Sequence, residues 1–315
     1  MNFLFLMDPL ESVNIHKDTT FALMGGAQRR QHNVYYLKKG GIALKSGHHN
    51  FHVTQVIPQT DTQEPFKRIS DKILNQNEVD CIFIRSDPPF DYDYLIHTWL
   101  LDRLPKTVVV INRPDGIRTA NEKIWVTQFT SLVPKTLISR NRKDLLWFVE
   151  EYERVVVKPT DGFGGHSVFS IQKNDPNTNV ILETITHQFT REVILQEFIK
   201  EADQGDKRIL VLNGEPLGAV LRVHAKGDHR NNFFSGGKPV KTSITDQERG
   251  IVAMLKPELI RLGLYFVGID ILGGYLIEVN VTSPTCLQEM NCFYNQKLED
   301  HVIQFAEQLV SKKEK

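Results

Sequence analysis

Neither sign of charge prevails in this chain of 315 residues: 38 lysines and arginines stand against 38 aspartates and glutamates. That balance gives no electrostatic reason to expect a nucleic acid or an anionic membrane as partner, although a local basic site stays open. Cysteine is scarce. Cys81, Cys286 and Cys292 form neither an even disulfide set nor a metal pattern, which suits a reducing compartment and predicts a cytoplasmic protein. Cys81 sits in an apolar run and reads as buried. Long hydrophobic runs are missing too. No stretch approaches the length of a membrane span. The apolar start Phe3–Met7 is too short for a signal-peptide core, has no basic residues before it, and runs into Asp8-Pro9. Also absent are the two commonest nucleotide loops. No Gly-x-Gly-x-x-Gly joins a strand to a helix, which excludes a dehydrogenase, and no Gly-Lys-Ser/Thr opens a helix. There is no internal repeat or low-complexity tract. What remains, 41% hydrophobic and 24% charged, is the composition of a soluble globular protein, long enough for two or three packed lobes.

The first third alternates apolar strands with helical stretches. Strands are predicted at Asn2–Met7, Val34–Leu37, Cys81–Ile84 and Val108–Ile111, and Asp18 is a candidate N-cap for a helix through Met24. This rhythm predicts a parallel sheet with its ligand site past the carboxyl ends of the strands. Met7-Asp8-Pro9 and Arg85-Ser86-Asp87-Pro88-Pro89-Phe90 stand at those ends. Gln59–Pro65 reads as a loop, and the neighbouring His48, His49 and His52 as surface histidines without metal-ligand spacing. From about Asn112 the pattern changes. Helices are predicted around Asn121–Val126 and over Lys143–Tyr152. Strands follow at Lys135–Ile138, Arg154–Lys158, Ser167–Ile171, Val193–Leu195, Lys207–Leu212 and Gly218–Arg222, the last two joined by an Asn213-Gly214 turn. The architecture expected is an α/β amino-terminal lobe followed by an α+β region.

The segment Phe266–Asn280 reads as a hairpin with oxygen ligands on one side. Val267, Ile269 and Ile271 share one face of its first strand, and Gly268 and Asp270 the other; on the return strand Ile277, Val279 and Val281 oppose Glu278 and Asn280. Matching the apolar faces sets Asp270 across from Glu278 and predicts a three-residue loop, Gly273-Gly274-Tyr275, because a two-residue turn slips the register. Two carboxylates and an amide oxygen gathered in this way suit Mg²⁺, which takes one or two carboxylates plus substrate phosphates. The polar side of an ordinary hairpin is the equal alternative.

Lys158-Pro-Thr-Asp-Gly162-Phe-Gly164-Gly165-His-Ser167 lies between two predicted strands. A glycine-rich hairpin can fold over a polyphosphate with its N–H groups as an anion nest, and Lys158 would add a fixed positive charge; it is also readable as a flexible turn. Leu195–Ile199 ends a strand with the polar pair Gln196-Glu197. That segment suits an adenine edge, with Phe198 and Ile199 packing nearby, or is an exposed strand end. Lys123, on the predicted helix after Asn121-Glu122, could reach the same phosphates or, as a lone helical lysine, stay solvated.

Together these segments resemble an ATP-grasp ligase, and more closely the prokaryotic-type glutathione synthetases. The resemblance spans nearly the whole chain: Met7-Asp-Pro9, Asn14-Ile-His-Lys-Asp18, Asp87-Pro-Pro-Phe-Asp91, Asn121-Glu-Lys123, Lys158-Pro159, Asp161-Gly-x-Gly-Gly165, Gly205-Asp-Lys-Arg208, Phe266-Val-Gly-x-Asp270 and Glu278-Val-Asn-Val-Thr-Ser-Pro-Thr-Cys286. It implies an ATP-grasp fold: an amino-terminal parallel α/β substrate domain over 1–120, a central lobe over 121–200, and a carboxyl-terminal lobe with the metal site over 201–315, the two lobes sandwiching ATP. It further implies that Lys123 and Lys158 contact the phosphates, that Gly162, Gly164 and Gly165 cover them, and that Gln196, Glu197, Phe198 and Ile199 hold adenine. Asp270, Glu278 and Asn280 would bind two Mg²⁺ ions, replaceable by Mn²⁺, and Arg208 and Arg222 would stabilise the phosphoryl group in flight. Asp18, Arg85, Arg230, Asn232, Ser283 and Thr285 would face the substrates, γ-glutamylcysteine and glycine. The polar, glycine-hinged segment His224–Gly237 would close as a lid over an acylphosphate, or is an ordinary long loop. A homotetramer is implied as well, with neither nucleic acid nor membrane as partner.

Five positions depart from the family pattern: Ser86 stands where a lysine is expected, Phe233-Phe234 replaces smaller residues, and His166 and His224 are unexpected. They border the peptide-substrate side. Cys286 reads as packing rather than nucleophile. Two alternatives stay open, another carboxylate–amine (dipeptide) ligase and a nucleotide-binding regulatory protein without turnover. Against the second, sensing needs no full set of metal positions.

Overall fold

Three sheets organise the chain, which the computed structural model describes over residues 1–60, 63–223 and 237–313. The first sheet contains β1 (Asn2–Met7), β2 (Asn33–Lys45), β3 (His48–Pro58), β4 (Phe66–Asn75), β5 (Cys81–Ile84) and β6 (Val109–Ile111), in the order β4-β3-β2-β1-β5-β6. The parallel rhythm holds for β2-β1-β5-β6. It fails at β3 and β4, an antiparallel extension that the sequence reading did not anticipate. Most of β4 faces solvent, so it lacks the apolar alternation that marks a half-buried strand. His49, expected at the surface, is fully buried on β3 and bonded through its ring to Gln76 and the Leu100 carbonyl. The central strand β1 buries both faces, Phe3 and Phe5 on one side and Leu4 and Leu6 on the other, hence its unbroken apolar run. Helices α1 (Thr19–Arg29), α2 (Tyr92–Asp102) and α3 (Pro114–Thr119) accompany this sheet. Asp18 caps α1, accepting from the Phe21 N–H at 2.7 Å.

The second sheet contains β7 (Thr136–Ser139), β8 (Arg154–Pro159), β9 (Phe169–Gln172) and β10 (Val193–Glu197), in the order β7-β10-β8-β9, with α4 (Arg142–Glu151) and α5 (Thr178–Ile185). Leu145, Phe148 and Val149 of α4 and Leu182 and Ile185 of α5 pack on Val155, Val157 and Leu195 in a core of its own. The third sheet contains β11 (Asp206–Leu212), β12 (Glu215–Val223), β13 (Lys238–Lys241), β14 (Phe266–Leu272) and β15 (Tyr275–Asn280), in the order β13-β12-β11-β14-β15. Helices α6 (Asp246–Arg261), α7 (Leu287–Tyr294) and α8 (Leu298–Lys313) complete the chain. Ile209, Val267, Ile269 and Val279 of the third sheet share one buried cluster with Leu4, Leu6 and Ile82 of the first. No helix among the described residues is long and apolar enough to cross a membrane.

Candidate active site

Strand register sets the third sheet's charges in rows. Arg208 on β11 pairs with Asp270 on β14, and Asp270 with Glu278 on β15. Asp206 on β11 faces Arg222 on β12, and Gly268 on β14 faces Asn280 on β15. Alternate residues share a face, so these side chains lie together while Ile209, Ile269 and Val279 turn into the core. The predicted three-residue loop is not what forms. Leu272 pairs with Tyr275, leaving Gly273-Gly274 as the turn with φ 55° and 82°, the left-handed pair a two-residue hairpin favours. A bulge between Asp270 and Ile271 absorbs the slip. Ile277 is the extra residue: it lines the cleft, and Leu276 joins Val279 and Val281 in the core in its place.

Buried ion pairs link the rows. Arg208 engages Asp270 through Nε and through Nη2, the latter 2.8 Å from Oδ2. Arg222 bridges two carboxylates, with Nη2 2.9 Å from Asp270 Oδ2 and Nε 2.8 Å from Asp206 Oδ1. Burial opposes ionisation of Asp270, but the two guanidiniums outweigh it and hold the carboxyl well below its usual range. Gly268 leaves little room: a Cβ there would stand 3.0 Å from Arg208 Cδ and 3.2 Å from Pro284 Cβ, so these side chains would have to give way. The Asn280 amide lies 3.2 Å from the Gly268 carbonyl and 3.5 Å from Asp270 Oδ2. Two carboxylates and an amide on adjacent strands fit a hard divalent cation whose remaining ligands are phosphate oxygens and water. Among the described residues no group of three or more His, Cys, Asp or Glu is arranged for a metal, so a closed protein cage is not what this surface offers.

The second sheet forms the facing wall of a cleft of about 710 Å³. Lys158, on β8, is buried. Burial is the main cause of its pKa falling to about 8, with the positive charge of Lys123 acting in the same direction. Lys123 shifts the other way. Burial lowers its pKa, but Glu278 and Glu122 together raise it more; its Nζ lies 3.2 Å from Glu278 Oε2 and donates to the Gly162 carbonyl at 2.6 Å. Gly162, Gly164 and Gly165 line the cleft between β8 and β9. The strand after them begins at Phe169 rather than the predicted Ser167, whose φ of 57° is left-handed. Gln196, Glu197, Phe198 and Ile199 line the same cleft at the end of β10, beside the apolar Val156, Val168, Leu272 and Ile277. Gln196 donates to Thr136 Oγ1 at 3.0 Å, and the Arg154 guanidinium stacks 3.7 Å from the Phe198 ring centre.

The loops that follow β1, β5 and β15 supply the remaining edge. Asp18, Ser283 and Thr285 line the cleft, with Asp87 beside them. Burial raises the carboxyl pKa of both Asp18 and Asp87. Arg85 does not line it. Its Nε donates to Thr20 Oγ1 at 3.0 Å and its Nη2 to the Pro284 carbonyl at 2.9 Å, so it ties the end of β5 to α1 and to the loop after β15. Arg230 and Asn232, with His224, Phe233 and Phe234 of the predicted lid, lie outside the described residues.

Asp206 and Glu122 also line the cleft, outside the expected site residues. Asp206 holds Arg222 and stands two positions before Arg208, so the strand period could have found it. Glu122 gave no local signal. Its Oε1 accepts from the Val281 N–H at 2.8 Å, the Thr282 N–H at 3.1 Å and the Thr282 hydroxyl at 2.9 Å. Its carbonyl accepts from the Val279 N–H at 2.9 Å. The predicted helix around Asn121–Val126 is instead a turn, in which Asn121 Oδ1 accepts from the N–H groups of Lys123 and Ile124 at 3.0 and 2.9 Å; a short 3₁₀ helix follows at Trp125–Gln128.

Solved structures with this fold include the ATP-grasp ligase PsnB, with a TM-score of 0.64 at 15% identity over 98% of each chain. Another is D-cycloserine synthetase DcsG, at 0.67 and 16% over 98% of this chain and 99% of that one. The fold is that of the ATP-grasp ligases, enzymes that couple ATP to bond formation. Sequence narrows the class. The model of the prokaryotic glutathione synthetase amino-terminal domain matches residues 1–118, and that of the prokaryotic glutathione synthetase ATP-grasp domain matches residues 122–295. The glutathione synthetase of Gloeobacter violaceus is 40% identical over 312 residues, covering 96% of this chain and 95% of that protein. That of Escherichia coli strain K12 is 37% identical over 287 residues, covering 90% and 91%. The chain belongs to the prokaryotic glutathione synthetase family.

Proposed function

We propose that the chain joins γ-glutamylcysteine to glycine at the expense of ATP, releasing glutathione, ADP and phosphate. The observation that carries this reading is one cleft with buried Arg208 and Asp270 in a row with half-buried Glu278 on one wall and Lys158 with a glycine loop on the other, in a chain related to glutathione synthetases along nearly its whole length. Lys123 and Lys158 hold the phosphates under Gly162–Gly165, and the Gln196–Ile199 segment receives adenine. Asp270, Glu278 and Asn280 take the divalent cations that accompany ATP, two Mg²⁺ with Mn²⁺ as substitute. When bound, these neutralise phosphate charge.

The γ-glutamylcysteine carboxylate attacks the γ-phosphorus, the bond to the ADP oxygen breaks, and an acylphosphate forms. Glycine's amine then adds to the acyl carbon, phosphate leaves with the bonding pair, and the amine loses a proton. Phosphoryl transfer needs positioning and charge compensation more than covalent catalysis. Arg208 and Arg222 supply that compensation from a water-poor sheet surface. Asp18, Ser283 and Thr285 face the peptide substrate; Arg85 serves it by fixing the Pro284 loop. Arg230 and Asn232 are proposed as further substrate contacts. The protein works in the cytoplasm as a homo-oligomer, a tetramer by family resemblance. ADP release, measured with γ-glutamylcysteine and glycine omitted in turn, tests the reading. Release requiring γ-glutamylcysteine supports it. Equal release with unrelated acyl donors favours a different carboxylate–amine ligase, and no release in any mixture contradicts turnover.

A further inference from the structure

Helix α2 is apolar on two opposite sides. Tyr94, Thr98 and Leu101 are its buried residues. At about 100° per residue, Tyr92, Leu95, Ile96 and Trp99 form a stripe on the other side. Tyr92 is 70% and Trp99 47% exposed, and Leu95 and Ile96 are half-buried. None of the four lines the cleft. A surface helix ordinarily turns charged and polar residues to solvent along such a face.

The order along the stripe is symmetric: aromatic, two positions, aliphatic, aliphatic, two positions, aromatic. A two-fold axis between Leu95 and Ile96, with two copies of α2 antiparallel, sets Tyr92 against Trp99 of the second copy and Leu95 against its Ile96. Each contact occurs twice, as a closed isologous interface demands. Charge agrees with that orientation. Asp91 and Asp93 stand at the start of α2 and Arg103 just beyond its end, and antiparallel packing brings the acidic end of one copy to the basic end of the other. Asp91 falls opposite residue 100, which leaves Arg103 about 4.5 Å further along the axis, within an arginine's reach. Asp102 is engaged by Arg118 of its own chain, whereas Arg103 has no ion-pair partner among the described residues. The two aromatics offer roughly 200–250 Å² per copy, the apolar centre of an interface whose standard size is about 800 Å² per partner.

We propose that this face of α2 is where two copies of the chain pack, which gives the homo-oligomer reading above a definite surface. Light scattering on the full-length protein tests it, with Trp99→Glu beside the wild type and Trp147→Glu, a tryptophan 60% exposed on α4, as control. The expected result is an oligomeric wild type, a halved mass for Trp99→Glu with self-association weakened roughly thirtyfold or more, and an unchanged mass for Trp147→Glu. Should Trp99→Glu lose its circular dichroism, Tyr92→Glu replaces it. A monomeric wild type, an unaltered mass in the α2 variants, or an equal loss in the Trp147 control would overturn the proposal. ADP release from the same samples separates the two readings: an oligomer without activity contradicts the ligase and leaves the interface standing, and an active monomer does the reverse.

Discussion

The two walls of the cleft are anchored differently. The third sheet's underside is continuous with the core of the first, through Ile209, Ile269 and Val279 against Leu4 and Leu6. The second sheet packs on its own helices, with Val155, Val157 and Leu195 under α4 and α5. So the acid and arginine wall is built into the main body, whereas the phosphate wall is a separate packed unit held near the cleft by polar contacts. Two of these are Lys123 Nζ to the Gly162 carbonyl at 2.6 Å and Asn121 Nδ2 to the Thr160 carbonyl at 3.2 Å. Geometry within the fixed wall follows from strand register. Geometry across the cleft is set in part by the residues from Asn121 to Lys123, of which Glu122 reaches back into the fixed wall.

That contrast can be broken from either side. Glu278→Gln keeps the shape of the fixed wall while removing a ligand charge. Turnover is expected to fall by about 10³-fold with the melting temperature nearly unchanged, and near-normal turnover would refute the metal assignment. Arg222→Ala is expected to lower kcat by about 10²-fold and ADP affinity less. It also leaves Asp206 without its buried partner, a loss of about 3–5 kcal/mol readable by chemical denaturation. A greater loss in ADP affinity than in kcat would point to nucleotide binding without turnover. Glu122→Ala strands the Val281 and Thr282 N–H groups at about 1–3 kcal/mol and should raise the KM for γ-glutamylcysteine more than that for ATP. Glu122→Gln, whose amide oxygen can still accept, should recover most of both.

The smallest expected effect concerns pH. Lys158 has a pKa of about 8 against an ordinary 10.5, through burial first and Lys123 second. Above pH 8 it loses its charge, so ADP affinity should drop about tenfold between pH 7 and 9, and Lys158→Met should flatten that profile in calorimetry. Stability moves oppositely. The unfolded chain holds this proton up to pH 10.5, so the burden of burying a charged lysine is full below pH 8 and fades between 8 and 10.5.

Much of the fixed wall was legible because a strand alternates with period two. Asp270, Glu278 and Arg208 fall on one face in any register that buries their apolar neighbours. The bulge at Ile277 was not legible, since nothing in Tyr275–Asn280 marks which residue is extra; two compensating errors, a longer loop and no bulge, led to the same pairing. The α6 cap was written in plain view as Thr245-x-x-Glu248, whose side chains bond each other's backbone N–H groups at 3.3 and 2.8 Å, but went unread. Glu122 could not be found locally, because its partners Val281 and Thr282 are 159 and 160 positions away. Arg85 was expected at the substrate by resemblance alone, and tertiary packing turns it from the cleft toward Thr20 and Pro284.

The central claim is that Asp270, Glu278 and Asn280 hold the cation that accompanies ATP. Anomalous diffraction from crystals grown with ADP and Mn²⁺ tests it most directly. The account predicts a Mn²⁺ peak about 2.1 Å from oxygens of these side chains, with Arg208 or Arg222 displaced from Asp270. A peak elsewhere, with Asp270 still clasped by both arginines, would contradict it.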